Sequence, residues 1–307
     1  MLSLKPMYRD NDVVAFFQMQ GYGDLVILAN MLKKYTISNK KINIIMGSYL
    51  FELFTELDLD VKSIFLKLEG NDIPPLFNLK NKGFVKGFYS ALQIRSLLLK
   101  NYRKDNFSII FDSTLNLCGI RERLISSKIP RVMMKSKNNI YLTYINYIKS
   151  IDNFKIYNKD NLKLKKGNLL AIFPTSRQKR KCIPENILEY IIKTSIENGF
   201  KPQIFNIKGE DEFQLHLSKY HIVLPKNFSN IINVIKKSKA LVSADSLPAH
   251  IGEYYDVPTF VLSPIDNGYW LPLSTLKQGF WSKFNDYKKM MKIYQIFLDK
   301  LNNKLSF

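Results

Sequence analysis

One pattern constrains the fold of this 307-residue chain more than any other: short apolar runs alternate with turns and with segments of helical spacing. Residues 13–17 are an uninterrupted apolar run, which is typical of a strand buried on both faces. A glycine-containing turn follows. From Leu25 to Lys34 the apolar residues recur at helical spacing and end in two lysines. A strand that leads through a turn into a helix opens an α/β unit.

The alternation continues through both halves of the chain and predicts a doubly wound, mostly parallel sheet in each. In the first half we predict strands at 13–17, 42–46, 61–66, 107–111 and 131–134, with helices at 25–34, 48–57, 85–100 and 115–126. In the second half we predict strands at 169–173, 202–207, 222–224, 240–244 and 259–262, with helices at 184–197, 211–219, 230–237 and 248–255. A polar stretch at 150–167 separates the two series, and we interpret it as the interdomain linker.

The length of the chain also favours two domains, because a single core usually stops growing below 307 residues. We predict two Rossmann-like domains, at 1–155 and 156–285, whose sheets face a central cleft. Residues 286–307 are predicted to form a basic helix that packs back on the N-terminal domain. Ligands of open α/β sheets bind beyond the carboxyl ends of the strands, so we expect the loops after the predicted strands to line this cleft.

The net charge of +20, from 46 Lys and Arg against 26 Asp and Glu, attracts phosphates, nucleic acid or an anionic membrane surface. The lysines lie among many Asn and Ile residues, so the codon usage of an AT-rich genome is an equal explanation of the charge. No nucleic-acid-binding motif accompanies it. No apolar stretch reaches the roughly 18 residues of a transmembrane helix, which predicts a cytoplasmic protein.

The metal-binding residue types show no pattern that indicates a metal site. Cys118 and Cys182 are far apart in the sequence, and His216, His221 and His250 lack the spacing of metal ligands. No DxD cluster offers a magnesium site. We therefore expect a reaction without a metal or another cofactor.

Polar residues follow the predicted strands at five points, and the set is more informative than any single member. After the first strand, Gly23 allows a tight turn, and Asp24 is either a carboxylate that faces a ligand or a helix N-cap. After the strand at 169–173, Thr175 and Ser176 precede a basic run that ends at a helix N-terminus. This combination favours a diphosphate, although a solvated basic loop explains it equally well.

The remaining points lie later in the second half. Glu210 and Glu212 follow a strand, where a carboxylate accepts hydrogen bonds from ribose hydroxyls or caps a helix. Asp245, Ser246 and His250 follow the predicted strand at 240–244 and enter a helix. A lone histidine in such a place is more often structural than catalytic. We expect the loop after the last predicted strand to close over the ligand.

In their order, these segments resemble the ADP-heptose:lipopolysaccharide heptosyltransferase family, glycosyltransferase family 9. The family's Gly-Asp after the first strand is similar to Gly23 and Asp24. Its phosphate loop, which ends in Lys-x-Trp-Pro, is similar to residues 175–184. Its Asp-Ser/Thr-Gly-x-x-His signature is similar to residues 245–250, with a similar Val-Pro at 257–258. The similarity spans both halves of the chain.

The resemblance implies the GT-B fold and an inverting, metal-independent transfer of heptose or another sugar from a nucleotide-diphosphate donor. The implied acceptor is a lipopolysaccharide, a lipooligosaccharide or a related anionic surface glycan. The implied setting is the bacterial cytoplasm or the cytoplasmic face of the inner membrane. Asp24 is implied as the general base on the acceptor hydroxyl. The implied donor-binding residues are Thr175, Ser176 and Lys181 for the phosphates, Glu212 or Glu210 for the ribose, and Asp245, Ser246 and His250 for the sugar or diphosphate.

Two positions depart from the family pattern. Leu247 stands where the family has glycine, so a branched side chain occupies a place where the backbone would approach the donor. Ile183 replaces the tryptophan, and several lysines crowd the phosphate loop, so Lys179 is an alternative to Lys181. The donor nucleotide and sugar stay open. Two other functions also stay open: a non-catalytic protein that binds polyanions or membranes, and a GT-B-like sugar-nucleotide epimerase.

Overall fold

The structure is a computed structural model that describes residues 13–18, 21–37, 41–59, 61–66, 84–111, 124–126, 128–134, 137–150, 154–156, 167–207 and 215–302. The chain forms two units. The first comprises Met1–Lys137 and Leu142–Asn158, and the second comprises Asn138–Tyr141 and Lys159–Phe307. No helix in these ranges is both long enough and apolar enough to span a membrane.

The first unit contains a parallel sheet. The described elements up to residue 156 are β1 (Val13–Gln18), α1 (Tyr22–Lys34), β2 (Tyr35–Ile37), β3 (Lys41–Gly47), a 3-10 turn (Ser48–Leu50), α2 (Phe51–Glu56), β4 (Lys62–Leu66), α3 (Phe84–Asp105), β5 (Ser108–Phe111), β6 (Arg131–Met133), α4 (Ile140–Ser150) and β7 (Phe154–Ile156). The strand order is β4-β3-β1-β5-β6, and every pairing is parallel. This unit is therefore the predicted Rossmann-like α/β sheet.

Strand β1 is apolar along its length because both of its faces are covered. Ala15 and Phe17 lie in a core that also contains apolar residues of α3. Phe16 belongs to the opposite face, since successive side chains of a strand alternate. Its ring centroid lies 6.2 Å from that of Tyr144 and 6.1 Å from that of Tyr147. A strand packed on both sides in this way has an apolar run instead of an alternating pattern.

The structure adds elements that the sequence analysis did not predict. Strand β2 pairs antiparallel with β7, which falls within the stretch predicted to be the linker. Helix α4 occupies a stretch to which no element was assigned. The helix predicted at 115–126 lies outside the described residues except for its last three positions, and residues 157–166 of the predicted linker also lie outside them.

The second unit contains a larger parallel sheet. Its described elements are β8 (Leu169–Phe173), a 3-10 turn (Lys179–Lys181), α5 (Glu185–Glu197), β9 (Lys201–Ile207), a 3-10 segment (Leu215–Tyr220), β10 (His221–Leu224), α6 (Phe228–Lys237), β11 (Ala240–Ala244), α7 (Leu247–Tyr254), β12 (Thr259–Ser263), α8 (Leu273–Gln278), β13 (Trp281–Lys283) and α9 (Tyr287–Leu301). The strand order is β10-β9-β8-β11-β12-β13, again with every pairing parallel. The predicted strands are all present, and α8 and β13 are additions.

The buried face of the C-terminal helix α9 lies in the core of the second unit, where Tyr294 and Phe297 contact the ring of Phe260 on β12. The packing of residues 286–307 on the N-terminal domain stays a prediction. The helix begins after Asp286, whose side chain accepts a hydrogen bond from the N–H of Lys289. The apolar stripe that suggested a docking helix is thus part of this unit's own core.

Candidate functional site

The strand order of the second unit reverses between β8 and β11. From β8 the sheet extends through β9 and β10 in one direction and through β11 and β12 in the other. Such a topological switch point creates a crevice at the carboxyl ends of the two strands, where ligands of α/β sheets bind. The hydroxyl of Ser246, after β11, donates to the backbone carbonyl of Thr175, after β8, at 3.4 Å. Two predicted donor-binding segments therefore meet at the switch point.

An ion pair joins the same two loops. Lys181 Nζ lies 2.8 Å from Asp245 Oδ2 and 3.4 Å from the Asp245 carbonyl oxygen. The side chain of Asp245 is 4% exposed and that of Lys181 is 19% exposed. Asn267, in the loop after β12, donates from Nδ2 to the same Oδ2 at 3.0 Å. The buried carboxylate of Asp245 thus joins its own loop to two others, and the lysine that it holds keeps some access to solvent.

The loop after β8 is closed on itself, and this closure directs Lys181 inward. The N–H of Ile183 donates to the carbonyl of Pro174 at 2.9 Å, and the N–H of Ser176 contacts Cys182 Sγ at 3.4 Å. Ile183, at the position of the family's tryptophan, is 2% exposed and belongs to the core of the unit. The 3-10 turn then places Lys181 beside Asp245.

The two lysines proposed for the phosphates are placed differently. Lys181 is the one that contacts Asp245, whereas Lys179 lies with Arg177 and Arg180 on the exposed side of the loop. Thr175 and Ser176 are half-buried at the start of the loop. The geometry therefore favours Lys181 as the cation of the site, with the exposed cations around it.

The N-terminus of helix α7 completes this part of the site. Ser246 is its N-cap residue, but the serine hydroxyl donates to the carbonyls of Thr175 and Ala244 and does not cap the helix. Leu247 is the first helical residue and is half-buried. A helix N-terminus without a side-chain cap favours an anion, because the helix dipole attracts negative charge. In α7 the N–H of Leu247 is the donor of this turn, since Pro248 has no N–H and the N–H of Ala249 donates to the Ser246 carbonyl.

His250 lies in the same helix and is almost fully buried, with 6% exposure. Its Nδ1 is 3.0 Å from the hydroxyl of Tyr141. Burial lowers the pKa of His250 to about 4; Asp245 opposes this shift, and Lys181 adds to it. The imidazole is therefore neutral near pH 7 and close enough to Lys181 and Asp245 to sense both charges.

Two contributors to the site had weak or no sequence signals. Asn267 lies in the loop after β12 that we expected to close over a ligand, but its contact with Asp245 depends on the fold. Tyr141 is separated from His250 by 109 positions and comes from a stretch without a predicted element. Only the folded chain brings these residues to the switch point.

Asp24 belongs to the first unit and is the third residue of helix α1. Gly21 is the N-cap residue, and its N–H donates to Asp24 Oδ2 at 2.8 Å. A Cβ at position 21 would lie 3.0 Å from this oxygen, so the glycine leaves room for the carboxylate. Gly23 and Asp24 are both half-buried. The capping role that we considered for Asp24 is thus realised from the third position and not from the N-cap itself.

Two other predictions concern the contact with the ribose and the absence of a metal site. Glu210 and Glu212 lie outside the described residues, so the ribose contact stays a prediction. Within the described ranges, no group of three His, Cys, Asp or Glu side chains could hold a metal ion.

No protein-family model and no curated protein matches the chain. Solved structures do match it in fold. A glycosyl transferase family 9 protein from Veillonella parvula is 12% identical, with a TM-score of 0.62 over 96% of this chain and 99% of that one. The ADP-heptose lps heptosyltransferase II of E. coli is 11% identical, with a TM-score of 0.57 over 94% of this chain and 98% of that one. The E. coli heptosyltransferase WaaC with ADP is 15% identical, with a TM-score of 0.56 over 83% and 89% of the two chains.

At these identities the likeness establishes the fold. Each match covers most of both chains, so the similarity extends over both α/β units and is not confined to one of the two sheets. The mostly parallel sheets and the matched structures confirm the fold predicted from the sequence, which is GT-B.

Proposed function

We propose that the protein is a glycosyltransferase that moves a sugar, heptose or another, from a nucleotide-diphosphate donor to a surface-glycan acceptor. The observation that carries the proposal is the Lys181–Asp245 pair at the switch point of the second sheet. The pair supplies a cation, and around it lie hydroxyls and the N-terminus of α7, at the place where α/β sheets bind nucleotides. The fold likeness to a heptosyltransferase with ADP supports the same assignment.

In this proposal the second unit binds the donor. Lys181 forms charge-assisted hydrogen bonds to the diphosphate, and Thr175 and Ser176 donate to it from the start of the loop. Asp245, Ser246 and His250 bind the sugar or the diphosphate beside the N-terminus of α7. Glu212, or else Glu210, binds the ribose. Leu247 takes part in the choice of donor, since its half-buried side chain lies at the first position of α7.

We further propose that transfer inverts the anomeric centre and needs no metal. Asp24 takes the proton of the acceptor hydroxyl as that oxygen attacks the sugar, and the nucleoside diphosphate leaves from the opposite side. Lys181 and the positive end of the α7 dipole stabilise the negative charge that develops on the leaving diphosphate. Fixed donors of this kind supply the electrophilic assistance that a divalent cation gives in other enzymes.

For the acceptor we propose an anionic glycolipid or oligosaccharide of lipopolysaccharide or lipooligosaccharide type, met at the cytoplasmic face of the inner membrane. The outward face of helix α3 supports this choice. Lys100, Arg103 and Lys104 are exposed at its C-terminal half, and Tyr89 and Leu92 are exposed at 62% and 38% in its N-terminal half. Cations beside exposed apolar groups suit an anionic lipid surface. Co-sedimentation with phosphatidylglycerol vesicles, and its loss in Lys100→Glu/Arg103→Glu, tests this part.

The net charge of +20 also favours a second candidate, a non-catalytic protein that binds polyanions. The two candidate functions differ in the role that they give to the buried residues. A polyanion binder uses exposed cations such as Arg177 and Arg180, and its affinity falls steeply with salt. It does not need a buried carboxylate that holds one lysine in place.

A thermal-shift screen across ADP-, UDP-, GDP- and CDP-linked sugars tests the function. A ligand that binds only the folded protein raises its stability by about 2.7 kcal/mol at a concentration of 100 Kd. We expect one nucleotide class to stabilise the wild type and to lose its effect in Lys181→Met. The glycosyltransferase assignment is rejected if no nucleotide sugar stabilises the protein, and the role of Asp24 is rejected if Asp24→Ala transfers sugar as fast as the wild type. An epimerase, in contrast, would convert the nucleotide sugar without any acceptor.

A further inference from the structure

Tyr141 reaches the candidate site through a short segment that is fixed to the second unit by Asn139. The side-chain amide of Asn139 donates to the carbonyls of Gly268 and Leu271, both at 2.9 Å. Its Oδ1 accepts the N–H of Tyr141 at 2.9 Å. Asn139 and Tyr141 are both fully buried. The segment is therefore held in one conformation, and it delivers the phenol of Tyr141 to His250.

The direction of the Tyr141–His250 hydrogen bond follows from the surroundings of the two groups. Burial raises the pKa of Tyr141 well above its usual range, and the nearby carboxylate of Glu253 adds to this shift, so the phenol keeps its proton. Within the described part of the chain, His250 is the one hydrogen-bond partner of that hydroxyl. If Nδ1 carried the imidazole proton, the buried O–H would have no acceptor, and such a group is costly. The phenol therefore donates to Nδ1.

This direction fixes the tautomer of the histidine. A neutral imidazole that accepts at Nδ1 carries its proton on Nε2, on the other side of the ring. Among the described residues, no group forms a hydrogen bond with Nε2. The charged groups near the ring are Asp245 and Lys181, which form the ion pair at the switch point. The Nε2–H is thus a donor available at the site where we place the sugar nucleotide.

We propose that Tyr141 is a positioning residue that holds His250 as the Nε2–H tautomer, so that His250 donates a neutral hydrogen bond to the diphosphate or sugar of the donor. The inference rests on the proposed function. A neutral donor adds a directional bond without placing a second cation next to Lys181, where it would compete for Asp245. Tyr141 itself does not contact the ligand in this arrangement and acts only through His250.

The tautomer can be measured without any ligand. In ¹⁵N-labelled protein, NMR couplings between the carbon-bound hydrogens of the imidazole and its two nitrogens identify which nitrogen carries the proton. The signals of His250 are assigned by their loss in His250→Gln. We expect Nε2–H for His250 in the wild type and a mixture of tautomers in Tyr141→Phe. Tyr294→Phe is the matched control, because it removes another buried phenol hydroxyl from the same unit. An Nδ1–H tautomer in the wild type, or an unchanged tautomer in Tyr141→Phe, overturns the proposal.

Ligand binding tests the consequence. The probe is ADP, UDP, GDP or CDP, whichever stabilises the wild type most. Tyr141→Phe should weaken its binding about 3- to 10-fold, as expected for one misdirected hydrogen bond. In a His250→Gln background, where the amide N–H takes the place of Nε2–H, the same change should weaken binding less than about twofold. Equal losses in both backgrounds, or no loss in either, contradict a role through His250.

The two readouts separate this inference from the proposed function. If the wild type binds none of the four nucleotides, the proposed function fails, and the ligand assigned to His250 fails with it. The tautomer measurement would still decide whether Tyr141 controls His250. If nucleotides bind and Lys181→Met weakens binding at least about 10-fold while Tyr141→Phe has no effect, the function stands and the role of Tyr141 is rejected.

Discussion

Lys181 Nζ lies 2.8 Å from Asp245 Oδ2, and the two residues follow β8 and β11, the adjacent strands between which the second sheet reverses its order. The carboxylate is buried and also accepts a hydrogen bond from Asn267, so it is fixed from two directions. The lysine is the more accessible partner. In the proposed function, the diphosphate therefore binds an ammonium that is already oriented and need not order a free surface lysine.

Replacing Lys181 by methionine should affect both binding and stability. Loss of a charge-assisted bond to the diphosphate should weaken nucleotide binding about 10- to 100-fold. Asp245 would be left buried with Asn267 as its remaining donor, so unfolding free energy should fall by about 2 kcal/mol, less than the 3–5 kcal/mol seen for fully buried pairs. Isothermal titration and urea unfolding measure the two effects.

Two controls accompany that variant. Lys179→Met removes a lysine from the exposed side of the same loop and should change nucleotide affinity less than about threefold. Lys181→Met/Asp245→Asn removes both charges, so it should recover part of the lost stability but none of the lost affinity. A larger affinity loss from Lys179→Met than from Lys181→Met would contradict the assignment.

Asp24→Asn should separate the capping role of Asp24 from its proposed role as general base. The amide oxygen of asparagine can still accept the Gly21 N–H, so stability should change by less than about 1 kcal/mol. An amide cannot take a proton, so transfer to the acceptor should slow by about 10²- to 10⁴-fold, with nucleotide affinity unchanged. Labelled nucleotide sugar and a glycolipid extract provide the assay. Glu52→Gln, which neutralises an exposed acid in the first turn of α2, is the control. Transfer by Asp24→Asn within twofold of the wild type would exclude the role.

The strands of the fold could be predicted because their signal is local. Strand β8 is a continuous apolar run, β1 is one up to Gln18, and β11 departs from one only at Ser243, which reflects burial on both faces. Helix α4 was missed because its sequence, IYLTYINYIKS, is rich in β-branched and aromatic residues that also suit a strand. Strand β13 has three residues, too few to show a period.

The site was predictable only in part, because some of its contacts join residues that are distant in the sequence. Asp245 and Lys181 follow strand ends, so their meeting could be inferred from the order of parallel strands. The contacts of Tyr141 with His250 and of Asn139 with Gly268 join positions more than 100 residues apart. No local pattern encodes such pairs, because they depend on how the whole unit packs.

Asn139→Ala should loosen the segment that carries Tyr141. The change removes two donated hydrogen bonds and one accepted bond, and it leaves the half-buried carbonyl of Gly268 and the buried one of Leu271 short of a donor. Unfolding free energy should fall by roughly 2–3 kcal/mol, measured by urea unfolding. Asn233→Ala, which alters an exposed amide on α6, is the matched control and should cost less than about 0.5 kcal/mol. A loss below about 1 kcal/mol for Asn139→Ala would show that the segment is held by other contacts.

His250 should make the stability of the protein depend on pH in a defined window. The ordinary pKa of 6.5 applies to the unfolded chain, whereas burial lowers the pKa to about 4 in the folded protein. Between these values the unfolded chain binds a proton that the folded protein does not, so stability is full above about pH 6.5 and falls as the pH decreases towards about 4. The total loss from this residue is at most roughly 3 kcal/mol. Urea unfolding at about pH 7 and about pH 5 should show a smaller decrease for His250→Gln than for the wild type. Equal decreases in His250→Gln and the wild type would mean that His250 is not buried in its neutral form.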